Sequence, residues 1–565
     1  MNKVKSHSSS GKGVRSALVE YWLSAWRPYL VIMLLGLLAF GSTLWFSFIQ
    51  FDDNILIQEK YHIIGSLSQI IPSFKTPYLE YYYRPVVMLS LILDAQISGQ
   101  EPWMYHLSNV LYHLAASCLV FLLLLKLKSS RGVALFSSAL FAVHPMATHA
   151  VAWILGRNDS LLAIAVLLSF VAMINFETTK RWYFFVLHVL SFFIALLVKE
   201  TAIVFPLLGL YYLSFIARKQ LLSKETVRYV LAWLSVIFVW YFIRMPVLEG
   251  VPNTFSFNSF ILNLRVVLEM LGKMVIPIRL SGYPTFDTIP LITGSVVVVL
   301  VALFLISNQA IRSRNNICSL VWFVVFILPG LGIHLTDSIH KYDYLECRAY
   351  SSLVGVSLLV AGILSSNFTT LPRWTKRAGF FVIPLFAVIS VSYSMNYKDA
   401  LSHWRHAVAM SPQSANVHYK LGIVWSQVEH NPTEAVRCFE KAIELDSTNF
   451  EYHDNVGIEY GTLGLLEKAE IEFKKAIALN PSHPFPQSNL GYLYFLQGNN
   501  ALAEQYLKEA FRLDSNFSKS QELLVHVYYR ERNYEKMLYF AERVQHAGVM
   551  LDSNMKRVVD SLQNK

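Results

Sequence analysis

Two adjacent carboxylates, Asp52 and Asp53, stand in the segment FDDN directly after the first long apolar run of this 565-residue chain. A carboxylate of ordinary pKa, about 3.9, is ionised at neutral pH and takes a proton from a hydroxyl only as that hydroxyl attacks. The pair therefore suits general-base work in a transferase; the plain alternative is a solvated acidic pair marking a helix end. In YHLSNVLYH, His106, Asn109 and His113 recur at steps of three and four and share one helical face, able to orient a substrate or to bond neighbouring helices. His144, Pro145 and His149 end the third apolar run. Glu346 and Tyr350 stand beside Arg348 in ECRAYSSLV. Five cations, Arg84, Arg157, Lys199, Lys341 and Arg348, are candidates for gripping a phosphate, which Arg meets with a planar fork and Lys with a point charge. Local ion pairs, Arg157 with Asp159, Lys199 with Glu200 and Arg348 with Glu346, are the competing use of these charges. For Lys199 that use is weakened because sequence neighbours do not face each other on a helix. No tight His pair of metal-site spacing, no phosphate-binding loop and no dinucleotide fingerprint is present, so no metal is expected.

These residues need elements to hold them, and the composition says what kind. The chain is 54% hydrophobic and only 15% charged, too apolar for an ordinary soluble enzyme. Its net charge of +10 is scattered between apolar runs rather than gathered on one face, which argues against nucleic acid as a partner and for membrane topology signals. The four cysteines show no pairing or zinc spacing. A hydrocarbon core of about 30 Å needs roughly 20 apolar residues per helix. By that measure about eleven spans are expected, centred near Leu38, Ala115, Leu140, Val166, Phe192, Leu208, Val236, Val298, Val324, Val356 and Phe386. The stretch 260–278 is apolar but carries Arg265, Glu269 and Lys273 at four-residue spacing, which predicts an amphipathic helix on the membrane surface.

Short loops rich in Lys and Arg stay cytoplasmic. Lys126, Lys128 and Arg131, then Lys180 and Arg181, then Arg218, Lys219, Lys224 and Arg228, then Arg312 and Arg314, then Arg373, Lys376 and Arg377 all fall in even-to-odd connections. With a cytoplasmic basic N-terminus (1–27) and a membrane domain over 28–395, the outer loops are then 50–103, 247–290 and 334–348. A linker helix is expected at 396–410, and 411–565 lies outside the cytoplasm.

From residue 411 hydropathy collapses and a 34-residue period appears: Ala435, Ala469 and Ala503 align, as do Ala442, Ala476 and Ala510. A helix-turn-helix of that period with small residues at the crossings is the tetratricopeptide signature. Three units and a degenerate fourth at 522–541 suffice for a capped α-solenoid, whose concave face suits an extended peptide. The fold class is thus all-α, a polytopic membrane domain followed by helical repeats.

FDDN, YHLSNVLYH, HPMATHAVAWILGRNDSLLA, LLVKETAIVFPLLGLYY and ECRAYSSLVGVSLL, followed by the repeats, resemble the GT-C superfamily of polyprenyl-phosphate-sugar glycosyltransferases. Among these the likeness is to the transmembrane and tetratricopeptide repeat O-mannosyltransferases and their bacterial relatives, over nearly the whole chain. The resemblance implies that Asp52 or Asp53 is the base, that basic residues of the later outer loops hold the lipid phosphate, and that the donor is a polyprenyl-phosphate sugar with no cofactor required. Two positions depart from the pattern, His149 where relatives carry a glutamate and Cys347 where a His is common.

The expected function is an inverting transfer of a sugar to a hydroxyl outside the cytoplasm, with the repeats recruiting a protein or peptide acceptor. A bacterial cytoplasmic membrane is favoured over the endoplasmic reticulum. Two other readings are a non-catalytic membrane scaffold, which would be indifferent to Asp52→Asn, and a transferase acting on lipid or cell-wall glycan.

Overall fold

The computed structural model describes residues 21–252, 255–307, 313–333, 344–367 and 373–563, and divides into two compact units, residues 1–410 and 411–565. Among the described residues there is no β-strand, only isolated bridges Tyr78–Tyr82 and Phe255–Ile333.

Among the described residues of the first unit, eight helices are long and apolar enough to cross a bilayer: Arg27–Trp45, Trp103–Lys126, Ile154–Thr179, Lys224–Val247, Thr288–Ser307, Arg314–Gly332, Glu346–Ser366 and Gly379–Tyr397. A ninth, Arg131–Ala142 with Pro145–Ala152, is bent by 48° where His144 and Pro145 interrupt it. Trp182–Val198 and Glu200–Ile216 are shorter apolar helices, so all eleven expected centres fall on apolar helices. The further apolar helix Pro85–Ser98 has 14 residues, about 21 Å at 1.5 Å each, too short to cross. Burial separates centre from periphery. The best window of Ile154–Thr179 is 67% buried and that of Trp103–Lys126 61%, whereas Thr288–Ser307 is 11% buried and Lys224–Val247 17%. Helices that apolar and that exposed are stable against lipid, not water, which makes this a multi-pass membrane protein.

The basic loops gather at one end of the unit through direct bonds. Arg131 donates to the Leu23 carbonyl (2.7 Å), Asn315 to that of Leu127 (3.2 Å) and Arg314 to that of Phe215 (2.7 Å). Glu177 takes Lys180 (2.6 Å) and Lys219 (3.8 Å). Three helices leave this end behind the same N-cap: Ser130, Ser223 and Ser313 each accept a backbone N–H of the first turn.

The helix Val266–Val275 corrects the surface-helix expectation. Glu269 and Lys273 are buried together with Val266, Met270 and Met274, while Ile261, Leu262 and Leu264 just before the helix and Val275 at its end are exposed, so its charges turn into the protein. Glycine makes this possible: a Cβ on Gly272 would meet the Pro290 carbonyl and one on Gly294 that of Leu268, so the two backbones touch. The helix Ala400–Met410 belongs to the first unit and packs into it, Trp404 being fully buried.

The second unit stacks four helix pairs, Ala415–Gln427 with Pro432–Leu445, Phe450–Thr462 with Leu466–Leu479, Pro484–Leu496 with Asn500–Leu513, and Ser518–Arg530 with Tyr534–His546, closed by Ser553–Gln563. The six aligned alanines are all fully buried at the crossings. The fourth pair is complete, longer than the 522–541 expected. Val525, Met537 and Val544 stand at the glycine and alanine steps, which removes the small-residue signal while keeping the positions buried.

Candidate active site

At the end of the unit opposite the basic loops, the acidic segment is held from both sides. The Asp53 carboxylate, almost wholly buried, accepts the backbone N–H groups of Ile49 (2.9 Å), Phe51 (2.9 Å) and Asn54 (3.1 Å). From the other side two indoles donate to the loop carbonyls, Trp153 to Phe51 (2.9 Å) and Trp404 to Ile49 (3.0 Å). The Phe51 ring stacks on Trp153 at 4.9 Å. Asp52, caught between these anchors, adopts a left-handed backbone (φ +68°) and is half-buried. A non-glycine residue is held there only where its surroundings over-determine it. Burial pushes the Asp53 carboxyl up to about 6 against the pull of its three N–H bonds, with the Asp52 charge adding to the rise. Asp53 thus shapes the loop and Asp52 is what the loop presents.

The cations divide by partner. Arg157, fully buried, gives Nη1 to Asp94 (2.6 Å) and Ser90 (3.2 Å), Nη2 to the Tyr105 carbonyl (2.8 Å) and Nε to that of Ile154 (3.2 Å). Ser108 donates to the other oxygen of Asp94 (2.6 Å). Arg84 grips Glu200 with two nitrogens (2.7 and 3.3 Å), its guanidinium 4.1 Å over the Tyr82 ring. Both serve as ties between helices. Lys199 pairs with Asp159 (2.6 Å), and these two line a small cavity with Arg348, Gly330 and Ser351. Lys341 lies outside the described residues.

Behind Arg348 is a fully buried charge cluster. Lys273 contacts Glu346 (2.9 Å) and Glu269 (3.1 Å); Glu346 also accepts the Ser281 N–H (3.1 Å) and the Tyr393 hydroxyl (3.3 Å). It fixes the start of the helix that carries Arg348. Among the described residues no group of three or more His, Cys, Asp or Glu is placed to hold a metal.

Residues 78–268 match the family model of dolichyl-phosphate-mannose-protein mannosyltransferase, and 450–483 and 487–517 match tetratricopeptide repeat models. The chain is similar to the protein O-mannosyl-transferases. Tmtc1 of Drosophila melanogaster is 40% identical over 21% of this chain and 14% of its own length, and human TMTC1 34% identical over 24% and 17%. Drosophila Tmtc2 is 29% identical over 31% of this chain. The matched stretch thus covers less than a fifth of the length of these relatives. It is the stretch around Arg84, Arg157 and Lys199 that the family model spans, and Asp52 lies just before it.

Relative to that stretch, most of the polar residues singled out in the sequence are structural. Asn109 donates to the carbonyls of Val151 (3.1 Å), Trp153 (2.9 Å) and Ile154 (3.2 Å), clamping the broken segment that carries Trp153. His113 faces the Ala142 carbonyl through Nε2 (2.9 Å), which makes that nitrogen the donor, and its Nδ1 takes the Tyr350 hydroxyl (2.7 Å). His144 accepts the Met146 N–H (3.1 Å) and bonds the Met274 carbonyl (2.8 Å). These residues assemble the site without lining it. His106 and His149 are both buried, His149 with neither ring nitrogen hydrogen-bonded.

Sequence reasoning missed Trp404, His403, Asp94 and Lys273. Trp404 and His403 lie beyond the last span, where hydropathy falls; their signal was a pair of aromatic groups in an amphipathic turn. Asp94 sits in a helix too short to count as a span, and Lys273 in the helix read as surface-bound.

Proposed function

We propose that the membrane unit transfers a mannosyl group from a polyprenyl-phosphate donor to a protein hydroxyl on the extracytoplasmic side of a bacterial cytoplasmic membrane. The observation that carries this reading is Asp52, a carboxylate displayed by a loop braced on both sides, at the same end of the unit as the Lys199–Asp159–Arg348 cavity. The mannosyltransferase family match and the names of the relatives support the sugar and the acceptor class.

In the reaction the acceptor oxygen attacks the anomeric carbon as the bond from that carbon to the phosphate oxygen breaks, inverting the centre. Asp52 takes the hydroxyl proton as the attack proceeds, and the electron pair leaves on the lipid phosphate. Arg348 and Lys199, with Lys341 of the same outer loop, meet the charge that develops there. Because the leaving group is a monophosphate, protein cations suffice for it. Asp159 keeps Lys199 aimed until the phosphate competes for it. The repeats, which span parity assigns to the outside, raise the local concentration of an acceptor protein.

Mass spectrometry of proteins from cells lacking this chain, with and without complementation, tests the reading. Loss and restoration of hexose on Ser or Thr peptides is expected; loss from lipid or wall glycan instead would contradict the protein acceptor.

A further inference from the structure

Three imidazole nitrogens lie buried and unpartnered beside the acidic loop. His149 is fully buried, and neither its Nδ1 nor its Nε2 has a hydrogen-bond partner. His403 is 2% exposed and its Nε2 has none. In a neutral imidazole each ring nitrogen is either a donor or an acceptor, so this one is left without a partner in either tautomer. A neutral His149 offers one donor and one acceptor. Leaving such atoms unpaired in the interior is costly, and polar groups that pay no other structural role are where a ligand's hydroxyls find partners.

The walls around these nitrogens are aromatic. The Phe51 ring lies parallel to both Trp153 (4.9 Å) and His403 (6.1 Å between centroids), and the Tyr397 ring is 4.9 Å from His403 and 5.7 Å from His149. Flat apolar faces with a few convergent hydrogen-bonding atoms suit a pyranose, which has a C–H face and a rim of hydroxyls. Position fits as well. Phe51 adjoins Asp52 in sequence and its ring lies 6.1 Å from that of His403, which reaches His149 through Tyr397, so the two histidines lie beside the candidate base. Glycine at 282 makes room for this arrangement: a Cβ there would run into the His403 ring.

We propose that His149 and His403 bind hydroxyls of the donor's sugar ring, within the aromatic wall that Phe51, Trp153 and Tyr397 form. This rests on the donor assignment above and deepens it by naming the residues that read the sugar rather than the phosphate. Neither histidine is needed for the proton transfer, so their role is in affinity and sugar selectivity.

The test is binding of polyprenyl-phosphate mannose and of sugar-free polyprenyl phosphate to the full chain in detergent, for wild type, His149→Phe and His403→Phe. Phenylalanine keeps the ring and its stacking and deletes the nitrogens. Each variant is expected to lose about tenfold in affinity for the sugar-bearing lipid while holding the sugar-free lipid within about twofold. Equal loss of both lipids, or loss of neither, overturns the assignment. A second arm needs no variant: wild type offered singly deoxygenated mannosyl donors should bind at least one about tenfold more weakly, and equal binding of all of them overturns it too. A wild-type chain that binds neither lipid refutes the donor reading itself, whereas one that holds polyprenyl phosphate without discriminating the sugar refutes the histidines alone.

Discussion

Asp52 and Asp53 carry the same side chain one residue apart, and their surroundings give them different work. Asp53 spends both oxygens on three backbone N–H groups of its own loop. Asparagine there presents an amide N–H₂ to one set of these donors, so Asp53→Asn should lower the melting temperature of the detergent-solubilised chain and its transfer activity together. Asp52→Asn leaves those three bonds in place and should lower the melting temperature less than Asp53→Asn does. The acidic pair was legible in the sequence; its division of labour was not, because it depends on how the loop folds back on residues 49–54 and on indoles from residues 153 and 404. The cations failed for a similar reason. Arg157 is consumed by Asp94, 63 residues away, and Arg84 by Glu200, 116 residues away, separations over which spacing carries no information.

At the scale of elements, the helix Val266–Val275 shows how a correct pattern can be assigned the wrong face. Four-residue charge spacing is the mark of a helix with one polar side, but it does not say whether that side meets water or a buried counter-charge. Here Glu346 supplies the counter-charge. Lys273→Met leaves two carboxylates buried together and should cost about 3–5 kcal/mol, seen as a lowered melting temperature in detergent and partly restored by adding Glu269→Gln. In the repeats, Asp454 hydrogen-bonds Asn489 (3.0 and 3.1 Å) and burial pushes its carboxyl up to about 6. The folded value lies above the unfolded one, so the native state binds the extra proton as pH falls. The destabilisation is then absent below about pH 4, grows as pH rises through about 6, and is complete above it. Asp454→Asn should therefore stabilise residues 450–496 by about 1–3 kcal/mol at pH 7.5, read by hydrogen exchange, with the gain vanishing near pH 4. The period of 34 was plain in the sequence because small residues repeat at the crossings; the fourth pair hid because it fills those positions with Val525, Met537 and Val544.

At the scale of the whole molecule, the count of apolar runs and the alternation of basic loops carried most of the architecture. The bonds that tie Arg131, Asn315, Arg314 and Glu177 into one end are the three-dimensional counterpart of that alternation. Cysteine-accessibility labelling of single-cysteine chains extends it across the bilayer: Glu80→Cys and Ser482→Cys should react from one side, and Lys219→Cys from the other. The central claim is chemical, and the most direct measurement is transfer of radiolabelled mannose from polyprenyl-phosphate mannose to an acceptor protein by the purified full chain, wild type against Asp52→Asn. Product is expected from wild type, with a rate about 10²- to 10⁴-fold lower in the variant although it still binds the donor. Equal rates in the two, or no transfer by a wild-type chain that binds both substrates, would contradict it.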